Sequence, residues 1–587
     1  MKKIFSLIQI VLILGCIMIH SSCSEDFLHK EPPAVLSFST LQSAMGLEGV
    51  LVGSYQQLRG GTVFGSAMAT DWVYASMASD DAYKGSDPGD QVNANLIERY
   101  EILPDHPYMN ERWRECYNGI SRANLALDIL KELQAGPNAI SAERAIQVEA
   151  EAKYLRAWFH FSANKVFKTI PYIMTSSEMG GKLPIEIPNT DAGWSYIESD
   201  LQFAIDNLPE SWPAASVGRP TKYAAMTLKA QAYMYQHKLS DAKPLLDAVL
   251  NSGKYELVDY FDNYNEDTEN NAESIFEIQC ATSSTNHTSL MLTQAVYHQV
   301  GPYNLGWGFY QPSQSLVDAF LVDNDGLPYL DINTRPTMKN DMGIASSVEF
   351  TLSDQPIDMR LDWTVARRGV DFLGWAIHPG QAWIRAQSNG GPYMTKKYHV
   401  FFKNKDNQYS PGRYVNRNFR YHRLAHVILW RAEIAVEDGD LNMARELVNR
   451  IRERVKTSTP VMGKVTATTI PTSGVVDASL VDWTKPAGNY KTEPYPAGHV
   501  AFSNAENARN AVRMEIRLEF ATEGQRFFDL RRWGIDVEVL NDFIQRDVKF
   551  RNAMIGAVYL EKNRYWPIPQ TQIDLQMGVI TQDPAHK

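Results

Sequence analysis

The sequence predicts a mainly α-helical fold. It reads as a scaffold of tetratricopeptide-like αα-hairpins that carries a large loop-rich, aromatic-rich binding region, with minor β structure. Three observations predict this. The first is the stretch YHRLAHVILWRAEIAVEDGDLNMARELVNRIRERV, from Tyr421 to Val455. Leu424, Val427, Ile428, Ala432 and Ala435 recur at steps of three and four, and Leu441, Ala444, Val448, Ile451 and Val455 do so again, so each set shares one helix face. Gly439 stands where a left-handed helix end is wanted, and Asp440 where the next helix needs a cap. Ala432, Ala435 and Ala444 are small enough to let the two axes approach closely. The second observation is a copy of this hairpin. AQAYMYQHKLSDAKPLLDAVL, from Ala230, aligns without a gap on AEIAVEDGDLNMARELVNRIR, from Ala432, and Leu239, Ala242 and Leu245 fall on Leu441, Ala444 and Leu447. Asp241 is the expected cap there, which puts Pro244 at the third helical position, where a missing N–H costs little. Repeated hairpins signal a stacked array, although the spacing is irregular. The third observation is that helical period mostly fades from about Tyr255 to Arg420, where Gly, Pro, Asn and aromatic residues take over.

In chain order, Lys2 and Lys3 precede an apolar run from Ile4 to Ile19, which reads as a signal peptide over residues 1–22. Ser21-Ser22-Cys23 resembles a bacterial lipobox, with Cys23 acylated as the mature N-terminus, although His20 departs from the usual aliphatic residue. Cys16, after Leu14-Gly15, fits the local motif too, but would leave apolar Ile17-Met18-Ile19 on the mature end, so Cys23 is preferred. No second apolar run of about 20 residues appears. An extended leader with Pro32-Pro33 gives way to helices. Ala123, Leu127 and Leu130 sit at helical spacing; Ser141 caps a long helix that ends before Pro171; Trp194 to Leu208 is amphipathic and closed by Pro209; and Thr221 caps the first repeat. The scaffold is expected over about 46–254, 413–455 and 503–545, the loop-rich ligand-binding region over about 255–412, and a loop or short β insertion over 456–500. The chain closes on an extended tail, RYWPIPQ.

A net charge of −11 over 587 residues excludes the basic footprint of a nucleic-acid binder. With Cys23 lipidated, Cys116 and Cys280 remain; they could pair in an oxidising compartment, but two cysteines fix no framework, and two buried thiols is the preferred reading. There is no GxSxG elbow, Walker loop, HExxH or Cys-x-x-Cys. His422 and His426 stand four apart on the expected helix but lack a third ligand, and read as a surface or partly buried pair. Asp323-Asn324-Asp325-Gly326 reads as a turn, because the calcium-loop register puts Leu321 at the first ligand position. Asp80-Asp81 suits turn formation or hydroxyl acceptance better than the separated carboxylates of a glycosidase. Arg513, Glu515, Arg517, Glu519, Glu523 and Arg526 alternate in sign as a structural ion-pair face.

The aromatic content is 11%, and part of it sits where helical packing does not explain it. Tyr303, Trp307, Phe309 and Tyr310 crowd one Gly/Pro loop, and Trp375 and Trp383 another, the latter with Arg385 and Asn389 close in sequence. A flat ring beside polar groups suits carbohydrate: the ring covers the apolar face of the sugar while the polar groups bind its hydroxyls. The alternative is a satellite core beneath the loops, and the two readings are even for any one ring.

The chain resembles the SusD/RagB family of Bacteroidetes, surface lipoproteins that capture nutrients, mostly glycans, for outer-membrane uptake. The resemblance runs nearly end to end: CSEDFLHKEPP; ISRANLALD with EAKYLRAWFHF; ESDLQFAIDNLPESW; GRPTKYAAMTLKAQAYMY; SGKYELVDYF; LVDAFLVDNDG; FRYHRLAHVILWRAEIAVEDGD; and IRLEFATEGQRFFDLRRWG with YWPIPQ. It implies a SusC-like TonB-dependent transporter as partner, with this protein as the lid over its mouth, anchored in the outer membrane by lipid. It also implies no catalysis and no cofactor. Positions in places comparable to the relatives' ligand loops are Asp80, Asp81 and Tyr83, then the Tyr303–Tyr310 and Trp375–Trp383 clusters. The alternatives are a structural or gating subunit with little ligand contact, or a binder of a non-glycan nutrient such as peptide.

Overall fold

A computed structural model describes residues 41–61, 64–280, 307–407 and 416–587. Eight helices form one array: α1 (Ala44–Gln57), α2 (Pro107–Ala135), α3 (Ala142–Phe167), α4 (Trp194–Asn207), α5 (Lys222–Tyr235), α6 (Leu239–Leu250), α7 (Leu424–Glu437) and α8 (Leu441–Thr457), each packed on the next. A further helix, α9 (Ala505–Glu519), lies on α7 and α8, and the short α10 (Arg526–Arg532) leads into α11 (Asp536–Asp547). Caps are local and explicit. Ser141 Oγ accepts from Arg144 N at 3.2 Å, Thr221 Oγ1 from Ala224 N at 3.2 Å, and Asp440 Oδ1 from Met443 N at 3.0 Å. Gly439 takes the left-handed turn at φ 81°. Gly119 lets α2 and α3 close together, because a side chain there would strike the Phe159 ring.

Both repeats exist as hairpins, and they touch: α6 packs directly on α7 although the loop-rich region separates them in sequence. A pair of strands closes the gap. β2 (Ser274–Ile278), shortly after α6, pairs antiparallel with β6 (Phe419–Arg423), immediately before α7. The excursion between them is thereby tied at its base. Tyr421 and His422 are therefore strand residues, and the second repeat begins at Leu424. His422 and His426 straddle the strand–helix junction, and both are fully buried. The α5–α6 turn also differs from expectation. His237 takes a positive φ of 57°, so α6 starts at Leu239, and the Lys238 carbonyl accepts from Asp241 and Ala242. Pro244 consequently lies inside the helix rather than in its first turn.

A second clamp is electrostatic and buried. Glu519, at the end of α9, accepts from Arg360 in the loop region, Arg423 on β6 and Arg454 on α8, while Glu273 takes Arg423 at 2.8 Å and Arg454 at 3.2 Å. Arg360 also meets Glu515 at 2.8 Å and Asp358 at 2.9 Å. Burial pushes the Glu519 carboxyl up, but the three guanidinium groups prevail and hold it well below the usual carboxylate range. Glu515 and Glu519 of α9 thus belong to a buried clamp joining the loop region to the scaffold, whereas Arg517 and Arg526 pair with Asp80 and Arg513 lies over the Trp533 ring.

Inside the loop region β4 (Val365–Ala366) pairs with β5 (Met394–Thr395), and between α8 and α9 β7 (Met462–Val465) pairs with β8 (Val481–Pro486). Val465, Ile470 and Val481 pack on Ile377, so this insertion props the loop region. Asp323 makes a turn, its Oδ1 accepting from Asp325 N and Leu327 N. Among the described residues no disulfide joins Cys116 and Cys280, and only Cys116 is fully buried, its thiol pushed up to about 12 by burial; Cys280, just after β2, is half-buried. Among the described residues, no helix is long and apolar enough to cross a membrane.

Candidate functional site

The short strands β1 (Ala82–Gly85) and β3 (Phe309–Pro312) pair antiparallel, with Tyr83 opposite Gln311 and Gly85 opposite Phe309. This ladder brings the Asp80–Tyr83 segment beside the Trp307–Tyr310 segment, which are far apart in sequence. At its end the backbones come very close: Ser86 N donates to Gly308 O, and Gly85 and Gly308 both sit at φ 77°, where a side chain is disfavoured. A third segment docks there. Asn389 Nδ2 donates to Gly85 O at 2.8 Å and Ser86 O at 3.3 Å.

Beyond the ladder the chain turns through Ser86-Asp87-Pro88-Gly89-Asp90. Asp87 Oδ1 accepts from Gly89 N at 2.9 Å and Asp90 N at 3.0 Å, folding the turn on itself. Lys84 Nζ donates to Asp87 O at 2.8 Å and Asp90 O at 2.7 Å. Arg385 bridges the two acidic side chains, with Nη2 on Asp87 and Nη1 on Asp90 Oδ2 at 2.5 Å, and Nη1 also reaches Ser86 Oγ at 2.8 Å. The Arg385, Asp87 and Asp90 side chains remain 28%, 32% and 22% exposed, and Trp307, one residue from the ladder, is half-buried. Because Ser86 N bonds Gly308 O, the backbone brings a partly open ring and fixed donors and acceptors to the same end of the ladder, and a sugar ring needs both.

Most of the other expected contact residues are structural. Asp80 and Asp81 are buried: Asp80 meets Arg517 and Arg526, each at 2.8 Å, and Asp81 meets Arg517 at 3.0 Å. Tyr83 is buried, its hydroxyl donating to Asp547 Oδ1 at 2.6 Å and its ring lying 3.6 Å beneath the Arg551 guanidinium. Phe309 packs edge-on to Phe64 at 4.6 Å. Tyr310 donates to Thr522 O and accepts from Ser76 Oγ, and its ring packs on Trp72. Trp383 is fully buried, and its indole N–H donates to Thr472 O at 2.9 Å. Asn389 is buried in the contact already described. Trp375 is half-buried in a different place, against Phe402, with its N–H on Val400 O at 2.9 Å. The physical reason is common to all. Loops long enough to stack on one another build a core without helical period, and buried ring N–H and O–H groups then take carbonyl or carboxylate partners. Tyr303, Cys16 and Cys23 lie outside the described residues.

Sequence reasoning missed Lys84, Ser86, Asp87 and Asp90. The signal was present: Asp-Pro-Gly-Asp is a turn signature, and acids flanking Pro-Gly present carboxylates at a turn's shoulders. Among the described residues no group of three or more His, Cys, Asp or Glu is placed to hold an ion. His422 faces Gln231 at 3.0 Å and His426 faces Gln525; burial lowers the pKa of both rings and keeps them neutral.

Residues 26–234 match a family model described as starch-binding associating with outer membrane, and residues 272–586, more than half of the chain, match that of the SusD family. The chain belongs to the SusD family. A SusD-like protein of Formosa agariphila is 24% identical over 559 residues, 92% of each chain. Among solved structures, a SusD-like carbohydrate-binding protein from Bacteroides fragilis superposes with a TM-score of 0.66 at 21% identity, covering 94% of this chain and 100% of its own. Surface glycan-binding protein A from Bacteroides thetaiotaomicron, in complex with laminarihexaose, superposes with a TM-score of 0.63 at 19% identity, covering 92% and 99%. These likenesses establish the mainly α-helical SusD fold, with its tetratricopeptide-like scaffold.

Proposed function

We propose that this SusD-family chain is a cell-surface lipoprotein, anchored in the outer membrane through Cys23, that captures a poly- or oligosaccharide and delivers it to a SusC-like TonB-dependent transporter as its lid. It binds and hands on its ligand without chemical change. The observation that carries the reading is the half-buried Trp307 at the same end of the β1–β3 ladder as the Asp87–Arg385–Asp90 bridge, on a fold whose solved relatives include a glycan-binding protein holding laminarihexaose. A sugar stacked on the indole gains about 1–3 kcal/mol, by analogy with bases on aromatic rings. The carboxylates and the guanidinium give its hydroxyls acceptors and a donor.

A glycan array followed by calorimetry tests the proposal: one glycan class binds, and binding quenches tryptophan fluorescence. A second reading, a structural subunit that gates the transporter with little ligand contact, is favoured by the burial of Phe309, Tyr310 and Trp383. It predicts an array with no hits and undiminished co-purification with a β-barrel partner.

A further inference from the structure

A cavity of about 150 Å³ is lined by Tyr83 but by none of Trp307, Asp87, Asp90 and Arg385, so the glycan site does not use it. Its lining includes Tyr83, Asp318, Arg335, Arg546, Lys549 and Phe550. Its volume is below the ~300 Å³ where drug-sized sites begin, so it fits one sugar-borne substituent rather than a chain. Two of its charges are matched internally. Arg546 donates to Asp542 Oδ2 at 2.7 Å and Asn333 Oδ1 at 2.9 Å, and Asp547 accepts from Tyr83 and from Arg551 Nε at 2.8 Å. Arg335 is different. Its Nε and Nη2 converge on one neutral acceptor, the Tyr329 carbonyl, at 3.3 and 3.0 Å, and among the described residues it forms no ion pair. Burial, with Arg517 nearby, pulls its guanidinium down to about 10, although the carboxylates of Asp80 and Asp318 oppose the shift. Lys549 is exposed, and Phe550 is 46% exposed. Asp318 Oδ1 accepts from the Gln314 amide at 2.7 Å and Met338 N at 2.8 Å.

We propose that this cavity is a subsite for an acidic sugar. Arg335 and Lys549 hold the carboxylate or sulfate, Asp318 takes a hydroxyl, and Phe550 covers the apolar face of the ring. The combination selects a charged sugar over a bare anion, because the Asp318 carboxylate repels an anion that offers no hydroxyl. The inference rests on the glycan-binding reading and narrows it to anionic glycans.

Calorimetry on the purified protein with sodium glucuronate, glucose and sodium sulfate tests it. Glucuronate is expected to bind, with glucose and sulfate at least about tenfold weaker, the worth of one hydrogen bond to a charged group. Arg335→Gln is expected to remove that preference, and Lys549→Gln to reduce it several-fold. Lys549 is exposed, so its variant serves if Arg335→Gln fails to fold. Glucuronate binding no tighter than glucose, sulfate binding as tightly as glucuronate, or full affinity in the Lys549 variant would each overturn the subsite. A neutral glycan that still binds through Trp307 in the Arg335 variant would leave the glycan-binding reading standing, so the two failures are distinguishable.

Discussion

A carboxylate in a polar stretch carries no mark of whether it meets water. Asp80 and Asp87 are seven positions apart, each in an acid-rich segment, yet one is a buried partner of two arginines and the other lies on an open turn. The partners that decide this, Arg517 and Arg526, arrive from the far end of the chain, which no local pattern announces. Removing Asp80 leaves buried guanidinium charge, so Asp80→Ala should cost about 3–5 kcal/mol in denaturant melts. The pH dependence carries the same signature. Burial pushes the Asp80 carboxyl up, but Arg517 and Arg526 hold it down to about 2. A lowered folded pKa gives stability that is present above the ordinary 3.8 and lost as pH falls through about 2, and the variant should lack that part of the acid limb. Glu269 works the other way. Burial raises it to about 7, so its contribution is complete below 4.5 and lost as pH rises through 7. Glu269→Gln should flatten stability over that window in melts run from pH 4.5 to 8; an unchanged slope would contradict the assignment.

At the scale of elements, what repeats was legible and what pairs was not. The two hairpins stood out because Leu441, Ala444, Leu447 and Val448 keep helical period, and their caps and Gly439 are local. Leu447 is 5% exposed in the core shared by α7, α8 and α9. Leu447→Asp buries an unpaired charge there and should cost on the order of 4 kcal/mol or more. An unchanged melting temperature would mean the hairpin packing is wrong. Strand β6 read as helix because Tyr421 and His422 continue directly into the helical period of α7, and only pairing with distant Ser274–Ile278 makes it a strand. The insertion over 456–500 was visible as a break in period, but its role was not. Trp383 donates to Thr472 O and Ile377 packs on Val465, so replacing residues 462–486 with a short linker should free the segment around 371–384. Hydrogen exchange should show that segment deprotected while α1–α8 keep their protection.

At the scale of the whole molecule, the β2–β6 pair and the Glu519 clamp let one continuous scaffold carry a large loop region at fixed geometry. The family was readable from motifs spread over the whole chain, whereas the ligand face was not, since burial of loop rings depends on how loops stack. If the protein is a transporter's lid, affinity purification in mild detergent should recover a β-barrel protein at near-equal stoichiometry. Recovery of this chain alone across several detergents, with ligand present, would count against that partnership. The central claim is that a glycan is held at Trp307 and the Asp87–Arg385–Asp90 bridge while the other rings hold the fold. Calorimetry beside thermal melts on Trp307→Ala and Trp383→Ala tests it most directly. The account predicts that Trp307→Ala weakens glycan binding roughly ten- to hundredfold with little change in melting temperature. It predicts that Trp383→Ala costs about 3–5 kcal/mol of stability and leaves the affinity of the folded fraction intact. Unchanged affinity in Trp307→Ala, or lost affinity in a fully folded Trp383→Ala, would contradict it.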